Sequence, residues 1–389
     1  MEKWQQREFG ELYKIPSRNG LSKPSRVRGS GYKMINMGEL FSNDRIYNIN
    51  MELVPLTEAE KEKAKIEKND LLFARQSLVA SGAGKCSIVM ETDDLTVFES
   101  HLIRVRLNPQ IADAMFYYYY FKSFNSPIKA IIQHCVQAGI KASDLEKLFV
   151  AVPPLEIQTK IAGILSKIDD KIEENNRINK NLSDLLQAIY QKQFGEVSLG
   201  ANQGILSDIC SYSKEKVAVS ELNVNTYFST ENMLPEKAGS TKATSLPTTL
   251  QTTACRKGDT LISNIRPYFK KIVYCEDMCG CSTDVLCFTP VQSQYAAYLF
   301  STLYTDKFFA FMVAGSKGTK MPRGDKQQIM TYPVVLPAEN ELEEFNAIAF
   351  PVLEQLNSNK AENKRLSALR DALLPKLMSG ELDVSDIDL

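Results

Sequence analysis

One short run in this sequence resembles part of a nucleotide-binding loop. Gly82–Lys85 supplies the glycine and lysine that end a phosphate loop, in which backbone amides and the lysine bind phosphate groups. The loop also needs an earlier glycine and a Ser or Thr directly after the lysine, but those positions hold Val79 and Cys86. The run therefore predicts no nucleotide site.

A second pattern is a cluster of thiols at Cys275, Cys279 and Cys281. Structural zinc favours paired C-x-x-C knuckles, and here the spacing is C-x-x-x-C-x-C without a nearby histidine. A strand–turn–strand around Gly280 is the better interpretation, so we predict no metal site. The other cysteines are scattered among apolar residues and are expected to stay reduced: Cys86, Cys135, Cys210, Cys255 and Cys287.

The remaining candidates for catalysis are also weak. His101 lies in a strand-like run and His134 in an apolar helix-like run, which favours structural roles for both. The pair Pro153-Pro154 lacks the flanking amide or carboxylate and the aromatic residue of amino-methyltransferases, and no glycine-rich loop for a methyl donor is present. We therefore expect a chain that is not an enzyme.

Size and composition indicate a multidomain globular protein. With 389 residues, 44% hydrophobic and 24% charged, the chain is too long for one ordinary domain. No run of 18 apolar residues is present, and the polar start of the chain lacks a secretory signal, so a cytoplasmic protein is expected. The net charge of −1 gives no overall attraction to nucleic acid, so DNA binding would depend on local basic patches.

The strongest signal is an internal repeat. Asn179–Leu185 matches Asn363–Leu369 without a gap, an offset of about 184 residues. Each copy follows a proline-containing segment and ends near a glycine, Gly195 or Gly380. A period this long indicates duplicated domains rather than a solenoid of short repeats.

Each copy of the repeat predicts one long helix, because apolar residues recur at steps of three and four over about five heptads. Pro154 suits a helix start, while Gly195 and Gly380 suit helix ends. The periodic residues are Ile157, Ile161, Ile164, Ile168, Ile172, Leu182, Leu185 and Ile189 in the first helix, and Leu342, Phe345, Ala349, Val352, Leu356, Leu366, Leu369 and Leu373 in the second. At 1.5 Å per residue, about 38 residues make a rod of roughly 57 Å.

We predict that the two helices pair as an antiparallel coiled coil. Asparagines occupy the same register in both, and a buried amide rejects alternative registers because it is costly when unpaired. The alternative is two independent amphipathic helices, each packed on its own domain. The residues predicted to pair are Ile161, Ile168, Ile172, Asn175, Asn179, Leu182, Val352, Leu356, Asn359, Asn363 and Leu366.

The segments before the helices predict two mixed α/β globules. Lys68–Arg75 corresponds to Lys257–Ser263, and Gly84–Val89 corresponds to Phe269–Tyr274, both as short strands. An aromatic helix follows in each half, at 114–124 and 296–311, and then a Gly/Lys loop. In the first half Tyr117–Tyr120 is expected in the core rather than stacked on bases. The predicted domains are a globule at 1–152, a helix at 153–198, a globule at 199–336 and a helix at 337–389.

This order of features resembles the specificity-subunit family of type I DNA restriction–modification systems over essentially the whole chain. The motifs are Lys68–Arg75, Gly315–Lys320 and, most specifically, Pro153–Gln158 opening a long helix. The second helix departs from the family pattern, since it opens with Leu336–Glu341 in place of the Pro-Pro-Leu-Glu-Ile-Gln run.

The resemblance implies that each globule is a target recognition domain that reads one half of a bipartite, asymmetric DNA site. It implies that the helices are spacers that fix the distance between the readers and dock two methyltransferase subunits, while motor–nuclease subunits complete the complex. S-adenosylmethionine, ATP and Mg²⁺ would then be bound only by partner subunits, with no cofactor in this chain.

Lysines and arginines close to aromatic or glycine residues are the candidate DNA contacts. Cationic side chains bind phosphates, and planar groups such as the guanidinium of arginine can form two hydrogen bonds to a base edge. A solvated surface is the alternative for each patch. The candidates are Arg26, Arg28, Lys33, Arg75, Lys85 and Lys141 in the first half, and Arg256, Arg266, Tyr268, Lys270, Lys271, Lys317, Lys320 and Arg323 in the second.

Two other functions remain open at this stage. A coiled-coil scaffold whose globules bind proteins would have the same helices but no affinity for DNA that falls steeply with salt. An enzyme with an unrecognised active site is the more distant alternative.

Overall fold

The computed structural model describes residues 4–77, 82–93, 95–134, 138–195 and 202–387, with His134 described by its backbone alone. Val79 and Cys135 lie outside these ranges. The chain divides into two compact units: unit 1 is Met1–Glu173 with Asn363–Leu389, and unit 2 is Glu174–Glu362. Each unit contains one globule and a part of each long helix, and the domain bounds predicted above stay a prediction.

The globule of unit 1 is a mixed α/β fold. Its central sheet has the strand order β2-β10-β6-β8-β4, and smaller sheets pair β1 with β13, β5 and β9 with β3, and β7 and β11 with β12. The strands are β1 Gln5–Glu8, β2 Tyr13–Asn19, β3 Tyr32–Ile35, β4 Arg45–Ile46, β5 Glu52–Val54, β6 Leu71–Ala74, β7 Gln76–Ser77, β8 Cys86–Val89, β9 Thr96–Phe98, β10 Leu102–Leu107, β11 Gln133–His134, β12 Ala138–Gly139 and β13 Phe149–Val152.

The helices of this globule are α1 Met37–Ser42, α2 Glu58–Ala64, α3 Ala114–Lys122 and α4 Ala142–Glu146, with 3₁₀ turns at Phe9–Leu12, Ser25–Val27 and Pro127–Ile131. Helices α1, α3 and α4 contact strands of the central sheet, and α2 contacts β9 of a smaller sheet. Tyr117, Tyr118 and Tyr119 are fully buried in the core, so their rings are unavailable to bases. The prediction that the tyrosine run is mainly a core helix is confirmed, while His134 lies in a strand rather than the predicted helix.

The globule of unit 2 has a related architecture. Its strands are β14 Gln203–Ile205, β15 Cys210–Tyr212, β16 Lys216–Ala218, β17 Tyr227–Phe228, β18 Gln251–Cys255, β19 Thr260–Ser263, β20 Ile272–Tyr274, β21 Cys279–Cys281, β22 Val285–Pro290 and β23 Pro333–Val335. Its helices are α6 Leu206–Ile209, α7 Ala296–Leu303, α8 Asp306–Ala314 and α9 Lys326–Ile329, with 3₁₀ turns at Val219–Glu221, Pro267–Phe269 and Ser293–Tyr295.

The strand order shows that the two globules share a fold. The sheet order β15-β22-β19-β20 in unit 2 repeats β2-β10-β6-β8 in unit 1, and β14 pairs β23 as β1 pairs β13. The turn before β6 and the turn before β19 also match in detail, because Asn69 and Gly258 both adopt positive φ, at 71° and 91°. The next residue in each, Asp70 or Asp259, is buried and accepts a backbone N–H from three residues earlier at 2.8 Å.

Two details of the predicted correspondence are wrong. The strand pairings place Ile88 and Tyr274 at equivalent positions, so the proposed match of β8 with β20 is shifted by one residue. The aromatic helix predicted at 296–311 is two helices, since Thr305 breaks it and caps α8 through its hydroxyl.

The long helices have the lengths that their heptads indicate. Helix α5 is Leu155–Phe194 and helix α10 is Glu339–Met378, each 40 residues. In the described part of the chain, no helix is both long and apolar enough to cross a membrane.

The two helices pair with each other in unit 2 through amides and a carboxylate. Asn359 donates from Nδ2 to Asn179 Oδ1 at 2.8 Å, and Asn175 donates to Glu362 at 2.7 Å. Asn175 and Asn359 are buried, which makes these hydrogen bonds costly to lose. Gln355 supports the arrangement by donating to Asn359 Oδ1 at 2.7 Å.

The pairing continues in unit 1 with an ion pair. Arg370 on α10 donates to the buried carboxylate of Asp169 on α5 at 2.8 Å. The hydroxyl of Tyr119 donates to the other oxygen of Asp169 at 2.7 Å, and burial raises the pKa of Tyr119, which keeps that hydroxyl protonated. Residue numbers fall along α10 as they rise along α5, so the predicted antiparallel pair is confirmed.

The apolar contacts of the helices depart from the predicted pattern toward one end of each. Leu185 and Leu369 are half exposed, whereas Leu186, Tyr190 and Phe194 are buried in the core of unit 2. Of the residues predicted to pair, Ile161, Val352 and Leu356 are buried, and Ile168, Ile172, Asn179, Leu182, Asn363 and Leu366 are half-buried. The helices bury apolar residues against the globules as well as against each other. Their apolar faces are therefore wider than the narrow stripe of a simple coiled coil.

The start of α5 is fixed to the unit 1 globule by one fully buried side chain. Gln158 donates to the carbonyl oxygens of Pro153 and Ile111 at 2.8 and 3.2 Å and accepts the N–H of Asp113 at 2.9 Å. The start of α10 lacks this glutamine, and Glu341 from its own first turn accepts the Ala338 N–H at 2.8 Å. The Gln of the Pro153–Gln158 motif therefore has a structural role in fixing α5, and α10 begins without an equivalent side chain.

The cysteines of unit 2 gather in one apolar cluster. Cys255, Cys275, Cys279, Cys281 and Cys287 are all buried, although the sequence suggested that the first and last were scattered. Cys279–Cys281 is a strand, so Gly280 lies in a strand and not in the predicted turn. Within the described residues, no group of His, Cys, Asp or Glu side chains is arranged to hold a metal ion.

Replacing Asp169 with Ala should lower the free energy of unfolding by about 3–5 kcal/mol, because it leaves a partly buried arginine and a buried tyrosine hydroxyl without their acceptor. Chemical denaturation of the full-length chain measures the change. The matched control is Asp371→Ala, which removes the exposed partner of the same Arg370 at 2.9 Å and should cost less than about 1 kcal/mol. Equal effects of both variants would contradict the assigned role of Asp169.

Candidate nucleic-acid interface

A strained turn connects β19 to β20 at one end of the unit 2 sheet. Arg266 and Lys270 flank the 3₁₀ turn Pro267–Phe269, and both adopt left-handed backbone conformations with φ near +50°. Such conformations cost of order 1–3 kcal/mol for residues other than glycine and persist only where the surroundings impose them. Pro267 is buried, while Tyr268 and Phe269 are exposed at the tip.

A second basic segment, distant in sequence, lies beside this turn. Arg266 N–H donates to the Pro322 carbonyl at 2.8 Å, and Ile265 forms a β-bridge with Arg323. Lys317 and Arg323 also form an antiparallel bridge, which closes the Gly/Lys loop between them. The structure therefore brings together two patches that the sequence analysis could only treat separately.

A third loop completes the surface. Glu236 N–H donates to the Phe269 carbonyl at 2.8 Å, and Lys237 N–H donates to the Lys270 carbonyl at 3.0 Å. Lys237 is a residue that the sequence analysis missed, because it is an isolated lysine with no basic neighbours. We call the combined surface, formed by Lys237, Arg266–Lys271 and Lys317–Arg323, the basic edge of unit 2.

Aspartates neutralise part of this edge. Asp306 pairs with Lys237 at 2.8 Å and Lys270 at 3.1 Å, and these hydrogen bonds lower the pKa of Asp306. Asp325 pairs with Lys317 at 2.5 Å, which lowers the pKa of Asp325. Asp284 pairs with Arg323 at 3.0 Å. A phosphate would have to displace or share these carboxylates.

Other cations on the edge are available to an anion. Among the described residues, Arg266 and Lys320 have no carboxylate within ion-pair distance. The buried Nε of Arg266 also has no hydrogen-bond partner. Lys271 donates only to the Thr230 carbonyl, at 2.6 Å, and desolvation lowers its pKa. Arg266 and Lys320 are therefore the strongest candidates for phosphate or base contacts on this edge.

Arg256 is separated from the basic edge by the length of a buried strand. It precedes β19, whereas Arg266 follows it, and its guanidinium pairs with Glu215 at 2.5 Å. The sequence analysis grouped these two arginines into one patch, and the structure does not bring them together. The DNA contact predicted for Arg256 stays a prediction, separate from the basic edge.

Unit 1 carries a basic edge at the equivalent end of its sheet, formed by Arg75, Lys85 and Lys141. Arg75 follows β6, and its carbonyl accepts the Ile140 N–H at 2.9 Å, which places the exposed Lys141 beside it. Lys85 precedes β8 and pairs with Asp44 at 3.0 Å. Among the described residues, Arg75 and Lys141 have no carboxylate partner.

The other unit 1 candidates differ in position. Arg28 pairs with Glu52 at 2.6 Å and donates to Asn36, at the end of β3. Arg26 is exposed two residues earlier in the chain. Lys33 pairs with Asp93 at 2.7 Å, beyond the far end of β8 from Lys85, so it is not part of the same edge.

His101 makes a local contact in unit 1. Its side chain is half exposed, and its Nδ1 lies 3.5 Å from a Glu99 carboxylate oxygen, in the turn before β10. Glu99 also accepts the N–H of Met37. These contacts agree with the structural role that the sequence favoured for His101.

Comparisons with known proteins agree with this architecture. Residues 1–183 match the family described as type I restriction modification DNA specificity domain. The type I restriction enzyme MjaIX specificity subunit of Methanocaldococcus jannaschii is 21% identical over 369 residues, which covers 87% of this chain and 85% of that relative. The EcoKI specificity subunit of Escherichia coli is 26% identical over 193 residues, covering 46% of this chain and 40% of that one.

A solved structure shares the fold. The crystal structure of a type I restriction–modification S subunit from M. genitalium aligns with a TM-score of 0.60 at 18% identity, covering 96% of both chains. The matching domain family and the relatives named here are DNA-specificity domains and subunits of type I restriction systems, which is the resemblance that the sequence motifs indicated.

Replacing Asp306 with Asn should raise the affinity of the chain for duplex DNA, because it frees Lys237 and Lys270 to neutralise phosphates. Each phosphate neutralised adds about −0.9 to the slope of log affinity against log salt, so the slope should steepen by up to roughly twice that amount. Fluorescence anisotropy over a salt series measures it. Glu58→Gln, which frees Lys61 on α2, is the charge-matched control; an unaltered slope in the Asp306 variant would contradict the assignment.

Proposed function

We propose that this chain is the DNA-specificity subunit of a type I restriction–modification complex and reads a bipartite, asymmetric site. In this proposal the basic edge of each unit reads one part of the site. The observation that supports it best is that two globules of the same strand order carry cations at the equivalent end of the sheet, and that several of these cations have no carboxylate partner in the described part of the chain. Two copies of one reader with different side chains suit two different short sequences.

The partners in this proposal are two methyltransferase subunits, which dock on the helical regions, and motor–nuclease subunits, which join through the complex. Methylation and cleavage then belong to those chains, and S-adenosylmethionine, ATP and Mg²⁺ bind there. The relatives named above are subunits of restriction enzymes, which supports a role within such a complex in the cytoplasm.

The direct experiment is long-read methylation mapping of a host with and without this chain. A two-part motif that is methylated only in its presence is the expected result. Binding of duplex DNA whose affinity falls steeply with salt should accompany it. A chain that binds proteins but neither alters the methylation pattern nor binds DNA would instead be the coiled-coil scaffold considered above.

Replacing Arg266 with Ala should weaken binding of the mapped site by about 10-fold or more, because losing its guanidinium group removes one phosphate contact or one bidentate base contact. Association with the methyltransferase subunits should be unaffected, as measured by size-exclusion chromatography of the complex. The matched control for DNA binding is Arg177→Ala, which removes an exposed arginine of α5 outside both basic edges; it is not a control for complex formation, because α5 is part of the proposed docking region. Loss of both DNA binding and complex formation would count against the assignment of Arg266.

Inserting one heptad into both long helices should lengthen the unspecified gap in the site. Seven helical residues add roughly 10 Å, or about three base pairs of duplex, and a full heptad preserves the seam. The methylome of a host carrying the variant reports the new gap. Methylation of the original motif with an unaltered gap would rule out the helices as the determinant of spacing.

A further inference from the structure

The tip of the basic edge of unit 2 is apolar. Tyr268 is 46% exposed, Phe269 37% and Met321 49%, although cations surround them. The hydroxyl of Tyr268 can donate to a phosphate, but Phe269 and Met321 have no group that binds one. Their exposed apolar surface indicates contact with an apolar group on the ligand.

The tip is also held in one shape before any ligand binds. Backbone hydrogen bonds tie it to two other loops, from Arg266 to Pro322 and from Glu236 and Lys237 to Phe269 and Lys270. The ring centroids of Tyr268 and Phe269 are 4.7 Å apart, with planes crossing at 57°. A preformed tip loses little conformational entropy on binding. This favours a tip that contacts bases directly over a loop that becomes ordered only when DNA binds.

We propose that this tip reads a thymine in the major groove through the 5-methyl group of the base. The inference rests on the proposed function and deepens it by naming the base and the residues that contact it. Base edges otherwise present hydrogen-bonding groups, and the thymine methyl is the apolar group among them in the major groove. Tyr268 and Phe269 supply the apolar surface, while Arg266 and Lys320 hold the flanking phosphates or a neighbouring guanine.

Insertion of a ring between base pairs is the competing mode, and the geometry disfavours it. Consecutive base pairs are separated by about 3.4 Å, and opening a step costs a few kcal/mol. Two rings in contact at a steep angle are too thick to enter one opened step together. Phe269 is also about two-thirds covered, and Lys271 Nζ lies over its ring at 5.9 Å from the centroid.

The test uses the full-length chain assembled with its methyltransferase subunits and a duplex carrying the mapped site. Each thymine of the site is replaced in turn by uracil, which removes only the methyl group. We expect one replacement to weaken binding by about 3- to 10-fold, in line with the loss of one buried methyl group. In a Tyr268→Ser, Phe269→Ser double variant, thymine and uracil duplexes should bind equally.

Two further variants show that the effect belongs to the ring surface. Tyr268→Phe keeps the ring and should retain the uracil sensitivity. Phe124→Ala removes an 81% exposed aromatic residue of unit 1 and should leave that sensitivity unaltered. Assembly of the complex and its affinity for the thymine duplex are measured for both variants as well.

The proposal would be overturned if the mapped site contained no thymine, or if no single replacement of thymine by uracil weakened binding. It would also be overturned if the double variant still bound the uracil duplex more weakly than the thymine duplex. A fluorescent base analogue such as 2-aminopurine, placed in the site, reports whether a base is unstacked. If the unaltered complex unstacks it and the double variant does not, the insertion mode is correct and the thymine proposal is wrong. Failure of the unaltered complex to bind the mapped duplex at all would count against the proposed function itself.

Discussion

The antiparallel contact between the two long helices is the interaction on which the rest of the structure depends. Each globule packs on parts of both helices, so its core is complete only when they pair. The contacts that set this register are polar: the amide pair of Asn179 and Asn359, and the carboxylate of Asp169 with Arg370. Buried polar groups tolerate one register, because any slip leaves donors and acceptors unsatisfied. The apolar stripe alone would permit several.

The sequence predicted the parts of the fold that depend on local periodicity. Both long helices, the duplication and the pairing of asparagine registers follow from heptad spacing, which is a property of one stretch of chain. The errors arose where tertiary contacts decide. Leu185 and Leu369 fit the period but are half exposed, since the helix stripes turn toward the globules. The match of β8 with β20 was shifted by one residue, because short apolar strands contain no internal marker of register.

The candidate site was predictable as residue types but not as an arrangement. Arg266, Lys317 and Arg323 stood out in the sequence, yet only backbone pairing brings their loops together, and the same pairing adds Lys237. Arg256 and Arg266 show the opposite case, residues near in sequence that the fold separates. The buried strand β19 lies between them and places them at opposite ends of the sheet. The charge of the basic edge of unit 2 is also partly balanced locally, because Asp284, Asp306 and Asp325 lie directly against its lysines and Arg323.

The starts of the two long helices are held to their globules in different ways. The first turn of α5 is hydrogen-bonded through Gln158 to residues of the globule about 45 positions away. The first turn of α10 is closed by Glu341, a residue of the same turn, and is held to its globule by Leu342, which is buried in the core of unit 2. A protein built by duplication has in this way acquired two helix entrances held by different forces, one by long-range hydrogen bonds and the other by apolar burial.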